Sequence, residues 1–177
     1  MPENNYLIVV DMQKDFVDGA LGSREAQAIV PAVEKKIADY KGTVIFTLDT
    51  HEENYLDTQE GRLLPVPHCI RGTAGWELVP PLEVLRQKNN CRVYEKNTFG
   101  STTLAADLCR EHQTQPISGI ELVGLCTDIC VVSNALLIKA FLPEVPVYVD
   151  AACCAGVTPE KHAAALETMK SSQIIPR

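Results

Sequence analysis

Two cysteines, Cys126 and Cys130, stand four residues apart in the stretch LVGLCTDICVVSNALLIKAFL, where strand-like residues give way to helix-like ones. A thiol in the first turn of a helix meets free backbone amides and the positive end of the helix dipole. Both favour thiolate, which makes Cys130 a candidate nucleophile. Other reactive types follow other apolar runs: Asp11 after YLIVV, Asp49 and then His51 after TVIFTL, Lys96 after CRVYE, and Asp150 after VPVYV. Lys96 near Cys130 would lower the thiol pKa further below its reference of about 8.5. No histidine sits at a strand end suited to a Cys–His pair, so proton transfer falls to Asp11, as base and then acid. Amides of the Cys126–Cys130 turn are candidates to hold an oxyanion. By spacing alone the plainer reading is equally open, with Cys130 a buried helix residue and Asp11 an ordinary cap. Cys126 is the weaker candidate, since a turn side chain can simply pack.

Asp49-x-His51 and the distant His68 form a sparse set suited to a divalent cation, because imidazole and carboxylate together fit zinc, iron or manganese. Asp57 or Glu60 could complete it, whereas Glu52 and Glu53 read as solvated loop charges. The competing reading is a polar loop with two surface histidines. His112 and His162 fall on helical patterns among polar neighbours and read as surface residues.

These residues need elements to position them. The runs YLIVV (6–10), TVIFTL (43–48), CRVYE (91–95), IELVGL (120–125) and VPVYV (145–149), with SQIIP near the end, have the length and continuous apolarity of parallel strands buried on both faces. Helical patterns lie between them at 30–42, 78–87, 101–113, 128–142 and 158–170, the last with Thr158 as N-cap and Pro159 as first helical residue. Alternation of this kind predicts a parallel α/β sheet with helices on both faces, and ligands gather at the carboxyl ends of its strands. The stretch Thr50–Trp76 has no period, and so long a loop in a compact domain is usually functional. With no repeats, linkers or low-complexity tracts, residues 1–177 read as a single domain.

Composition narrows the function. The chain has 177 residues, 46% of them hydrophobic and 22% charged, and a net charge of −7. An acidic chain without a basic cluster argues against nucleic acid as a partner. No segment approaches the roughly 20 apolar residues of a membrane span. The start, MPENNYLIVVDMQ, lacks the basic region of a signal peptide. A cytoplasmic protein is therefore expected. Seven cysteines, an odd number without paired CxxC knuckles, argue against a disulfide framework or a thiolate zinc site. Most of them, including the vicinal Cys153 and Cys154, read as packing.

Taken together, VVDMQKDF, TLDTHEEN, PHCIRGTAGWEL, VYEKNTFGST, LVGLCTDICV and YVDAACCAG resemble the isochorismatase-like cysteine hydrolase superfamily, over nearly the whole chain and in order. Asp-x-His and the HCIRGTAGWEL block resemble its nicotinamidase/pyrazinamidase branch. The resemblance implies a three-layer α/β/α sandwich around a mainly parallel sheet of about six strands. It implies a catalytic triad of Asp11, Lys96 and Cys130, a cis peptide before Cys126, and an oxyanion hole from the amides of Cys126 and Cys130. One divalent metal ion, zinc foremost, would bind Asp49, His51 and His68. Members often have a third histidine shortly after Asp-x-His; this chain has none, and Glu60, nine residues after His51, matches the glutamate some nicotinamidases use instead. Phe16 matches a residue that packs on the substrate ring. Where the family often has a tryptophan, this chain has Pro65, which leaves Leu64 and Phe99 to complete the wall. The implied activity is hydrolysis of nicotinamide to nicotinate and ammonia through a cysteine thioester, a step of NAD metabolism. Homo-oligomers, dimers or tetramers, are common among such proteins.

Two other readings compete. One is a related amidase acting on another small amide or a ureido compound. The other is a redox sensor built on Cys126, Cys130 and the Cys153–Cys154 pair, which would need neither Asp11 nor Lys96. The metal set argues against isochorismatase itself, whose relatives generally lack it.

Overall fold

The computed structural model describes residues 4–177, so the first three residues of the stretch read for a leader lie outside it. Six strands, β1 (Asn5–Val10), β2 (Thr43–Asp49), β3 (Arg92–Lys96), β4 (Gly119–Leu125), β5 (Val147–Ala155) and β6 (Ile175–Pro176), pair in the order β3-β2-β1-β4-β5-β6. Every pairing is parallel. The helices are α1 (Lys14–Val17), α2 (Arg24–Asp39), α3 (Gln59–Leu63), α4 (Pro80–Lys88), α5 (Thr102–Thr114), α6 (Val132–Phe141) and α7 (Pro159–Ser171). None of the described helices is long and apolar enough to cross a membrane.

The strands are apolar throughout because the sheet is covered twice. Successive side chains of a strand face opposite sides. Tyr6, Ile8 and Val10 enter one core with Leu104 and Leu108 of α5, Ala135 and Ile138 of α6, and Met169 of α7. Leu7 and Val9 enter the other with Ile29, Val33 and Ile37 of α2 and Leu82 of α4. This is the expected α/β/α arrangement. The chain walks from β1 out to β3, then returns to β4 and walks the other way. The reversal falls between β1 and β4, whose carboxyl ends therefore open a crevice.

Helix starts follow side-chain caps. Ser23, Ser101 and Thr158 accept hydrogen bonds from the backbone N–H groups of Ala26, Leu104 and Lys161, and Pro159 opens α7 as its fixed φ allows. Two elements depart from expectation. Helix α2 begins at Arg24, not near Val30: the Ser23 cap sets its start, and Pro31 sits on the exposed face, where the loss of one hydrogen bond to the preceding turn is tolerated. Strand β5 does not stop at Val149 but runs to Ala155, with a register shift opposite Leu122–Gly124. Asp150 is thus in mid-strand, away from the crevice. It pairs with Lys36 of α2 at 2.8 Å, and Lys36 also reaches Glu121 at 2.9 Å. That cluster holds α2 on the sheet. Cys153 and Cys154 point into opposite cores.

At the crevice, β4 comes close to β1. Gly124 has φ +116°, and a Cβ there would lie 2.1 Å from the Val10 carbonyl oxygen. Gly124→Ala is expected to lower stability by about 3 kcal/mol, from a strained backbone plus a clash between central strands. Urea denaturation would measure it, and an unchanged midpoint would mean that the β1–β4 spacing relaxes freely.

Candidate active site

Asp11 follows β1 with φ 47°, in the left-handed region that aspartate tolerates better than most residues. Its amide donates to the Thr47 carbonyl (3.2 Å), and the Thr47 hydroxyl donates to Asp11 Oδ1 at 2.6 Å. Lys96, the last residue of β3, reaches over β2 to place Nζ 2.6 Å from Asp11 Oδ2, 3.5 Å from Asp49 Oδ1 and 3.6 Å from Cys130 Sγ. Asp11 Oδ2 is buried and receives no well-directed hydrogen bond despite this ion pair. It thus keeps an acceptor direction open. The carboxyl, ammonium and thiol are 0%, 5% and 5% exposed as residues, so their charges act without screening by water.

Burial opposes the Lys96 ammonium, but the charges of Asp11, Cys130 and Asp49 outweigh it and hold the lysine pKa above its ordinary value. Burial, reinforced by the Asp49 charge, raises the Asp11 carboxyl against the pull of Lys96. Cys130 corrects the expectation of a lowered pKa. Burial and the nearby Asp11 charge push the thiol well up, and Lys96 only partly offsets them. Its turn, Thr127–Val131, is also π-helical, with α6 following from Val132. The Cys130 thiol thus holds its proton more tightly than a free cysteine, with Asp11 as the neighbouring carboxyl. The Leu125–Cys126 peptide is cis. Burial, then the charges of Asp128 and Asp11, push the Cys126 thiol to about 12, which suits a packed sulfur rather than a reactive one. All seven cysteines are free.

The second cluster shares Asp49 with the first. Asp49 ends β2 and lies 3.0 Å from His51 Nε2 and 3.6 Å from His68 Nε2 through Oδ2, leaving Oδ1 toward Lys96. One ligand atom from each of Asp49, His51 and His68 falls within 4.8 Å of the others, and all three residues are buried. Glu60, on α3, places Oε1 3.7 Å from His51 Nε2 and 3.8 Å from His68 Nε2. Asp57 is exposed and makes no such approach. Burial opposes the Asp49 charge, but hydrogen bonds from His51 and His68 and the Lys96 charge keep the carboxyl below the usual range. Two acidic side chains, Asp49 and Glu60, face two imidazoles, and among the described residues one ammonium, Lys96, answers both Asp11 and Asp49. The donor types and the shortage of positive charge fit one divalent cation.

Several residues that sequence patterns did not single out hold these groups. Gln13 is buried and grips Asp49 on both sides: its Nε2 donates to the Asp49 carbonyl (2.8 Å) and its Oε1 accepts from the Asp49 amide (2.7 Å). Its Nε2 also reaches the Trp76 carbonyl. Asp15 Oδ2 accepts from the Cys69 amide at 2.8 Å, beside His68. Tyr55 is buried with its ring 4.8 Å from that of His51 and 5.0 Å from that of His68. Asn134 of α6 accepts from the Ser101 amide (2.9 Å) and donates to the carbonyls of Phe99 (3.1 Å) and Cys130 (2.8 Å). His162 is not a free surface residue: its Nδ1 lies 2.8 Å from the hydroxyl of Thr127 in the Cys130 turn. His112 Nδ1 accepts from the Ile117 amide. The only available signal was proximity in sequence, Gln13 and Asp15 to Asp11, and Asn134 one helical turn after Cys130.

A cavity of about 780 Å³ opens onto Cys130 and Cys126, with Asp49, Glu60 and His68 on one wall. Phe16, Leu64 and Phe99 are among its lining residues, Phe16 with its ring 5.4 Å from that of His68.

Residues 5–176 match the Isochorismatase domain family. The chain belongs to this family. An uncharacterised isochorismatase family protein of Bacillus subtilis is 33% identical over 94% of each chain. Among solved structures, the pyrazinamidase/nicotinamidase of Streptococcus mutans superposes with TM-score 0.84 at 28% identity, covering 98% of this chain and 100% of the other. The zinc complex of the pyrazinamidase of Pyrococcus horikoshii gives TM-score 0.78 at 29% identity over 98% of each chain.

Two measurements test the supports described here. Asn134→Ala strands two buried backbone groups, the Ser101 amide and the Cys130 carbonyl, and is expected to cost about 2–3 kcal/mol in chemical denaturation. Glu60→Gln, which keeps the shape but removes the charge, is expected to weaken zinc binding about 10- to 100-fold in competition with a chelating dye. Unchanged affinity would remove Glu60 from the metal set.

Proposed function

We propose that this protein is a metal-dependent amidase of the nicotinamidase type, which hydrolyses nicotinamide to nicotinate and ammonia through a thioester on Cys130. The observation that carries this reading is the contact of Lys96 with Asp11, Asp49 and Cys130 together. It sets a thiol, its proton acceptor and a candidate metal cluster around one cavity. The likeness to proteins named nicotinamidase or pyrazinamidase supports the choice of substrate.

The chemistry follows from the groups present. Asp11 takes the Cys130 proton as sulfur attacks the carboxamide carbon, with Lys96 limiting the charge on both. The amides of the Cys126–Cys130 turn would receive the developing oxyanion. Asp11 then returns the proton to the departing nitrogen, the C–N bond breaks, and ammonia leaves a thioester behind. Water enters, loses a proton to Asp11 and attacks the thioester. The carboxylic acid forms as the C–S bond breaks, Asp11 returns the proton to sulfur, and the acid gives up its own proton to water as carboxylate. Asp49, His51, His68 and Glu60 would hold the cation, zinc foremost, with iron or manganese as chemical equivalents. When bound, it supplies a Lewis-acid contact that orients the substrate ring. Phe16 packs against the ring, and Leu64 and Phe99 complete the apolar wall further out.

Ammonia release from nicotinamide tests the reading. Cys130→Ala is expected to cut turnover by about 10⁴-fold, and Cys126→Ala to stay within about threefold of the parent. Metal removal by chelator should abolish turnover, and added zinc should restore it. Persistence of turnover in Cys130→Ala would eliminate covalent catalysis by that residue.

A further inference from the structure

The cavity above Cys130 is built for more than a single small ring. Its volume of about 780 Å³ lies toward the upper end of the range for pockets that take drug-sized ligands, about 300–1,000 Å³. Its outer part is apolar and open. Leu63, Leu64, Phe99 and Val157 line it, and they are 79%, 39%, 47% and 48% exposed. Large apolar side chains left in water are informative when they gather in one place. Among the described residues, four of the nine exposed large hydrophobics meet around one mouth. They come from three separate segments: the end of α3, the Thr98–Gly100 turn and the β5–α7 connection. Leu21, ahead of α2, adds a further apolar wall. The same cavity is lined by Cys126, Ile129 and Cys130. Whatever covers these side chains can therefore be part of the molecule whose carboxamide reaches the thiol.

We propose that the preferred substrates are carboxamides that carry a hydrophobic substituent remote from the reacting amide, long enough to lie between Phe99, Leu63 and Val157. This deepens the proposed amidase function and rests on it. The inner part, with Phe16 and His68, holds the ring that bears the carboxamide. The outer part contributes binding through apolar area taken out of water, realised equally in the ground and transition states until the substituent is fully seated.

The test compares ammonia release from nicotinamide with release from nicotinamides that carry a phenyl group on either ring carbon far from the carboxamide, using the zinc-loaded full chain. At least one extended amide is expected to exceed nicotinamide by about tenfold or more in kcat/KM, the scale on which apolar pockets discriminate. In Leu63→Ser/Val157→Ser, whose altered positions are exposed, that preference is expected to shrink to about twofold. Circular dichroism would confirm the fold. If nicotinamide is hydrolysed and every extended amide is hydrolysed no faster, the inference fails while the amidase reading stands. That result, joined by a smaller assembly mass for Leu63→Asp in light scattering, would assign the mouth to a second copy of the chain. If no carboxamide releases ammonia, both fail together.

Discussion

A buried ammonium must be paired, and the pairing of Lys96 organises this site. Bringing a lysine to 5% exposure is tolerable only where opposite charge and hydrogen-bond acceptors replace its water. Asp11, Asp49 and the Cys130 sulfur are those replacements, contributed by the ends of β1 and β2 and by the turn after β4. If Asp11 or Asp49 moved away, the ammonium would lose part of its compensating charge. The same contact therefore fixes the distance between acid and thiol and ties the histidine cluster to both. Burial and the crowding of carboxylates also account for the upward shift of the Cys130 thiol, which Lys96 only partly offsets. In a dry site with two carboxylates nearby, a third negative charge is unfavourable until a substrate is there to receive the sulfur.

The sheet makes this convergence possible. In a parallel sheet all carboxyl ends lie on one edge, and the reversal of strand order between β1 and β4 opens that edge exactly once along its length, where Asp11 and Cys126 stand. Lys96 comes from the far strand β3 and needs its full side chain to arrive. The long segment from Thr50 to Trp76 then folds back, anchored by the His51–Ile70 bridge and by Gln13, so that His51 and His68 face the same Asp49. The loop has little regular structure of its own, but its ligand-bearing ends are pinned to the sheet.

Much of this was legible in the sequence. The strands announced themselves as apolar runs, and the polar residues just after β1, β2, β3 and β4 are those the crevice gathers. Asp150 shows the limit of that rule: a strand whose second half contains Ala, Cys and one charged residue does not look continuous, so its true end at Ala155 was hidden. The start of α2 was masked by Pro31, which reads as a beginning when seen without its exposed position. Gln13 and Asn134 were invisible for a different reason. Each acts across a large separation, Gln13 on Asp49 and Asn134 on Phe99, and a single sequence has no pattern that reports a hydrogen bond between residues about 35 apart. Cys130 was placed by its helix start, yet burial, which sequence spacing cannot weigh, reversed the direction of its pKa.

The backbone of Asp11 has a consequence for how such a fold can diverge. Position 11 answers to two demands: a carboxylate for proton transfer, and a side chain that tolerates positive φ at the end of β1. Asparagine meets the second demand without the first. A lineage can thus lose hydrolysis at this position in a single codon change while the turn, the Thr47 contact and the neighbouring pocket persist. What remains is a receptor shaped for the amide it once cleaved, and the path from enzyme to binding protein is one step long.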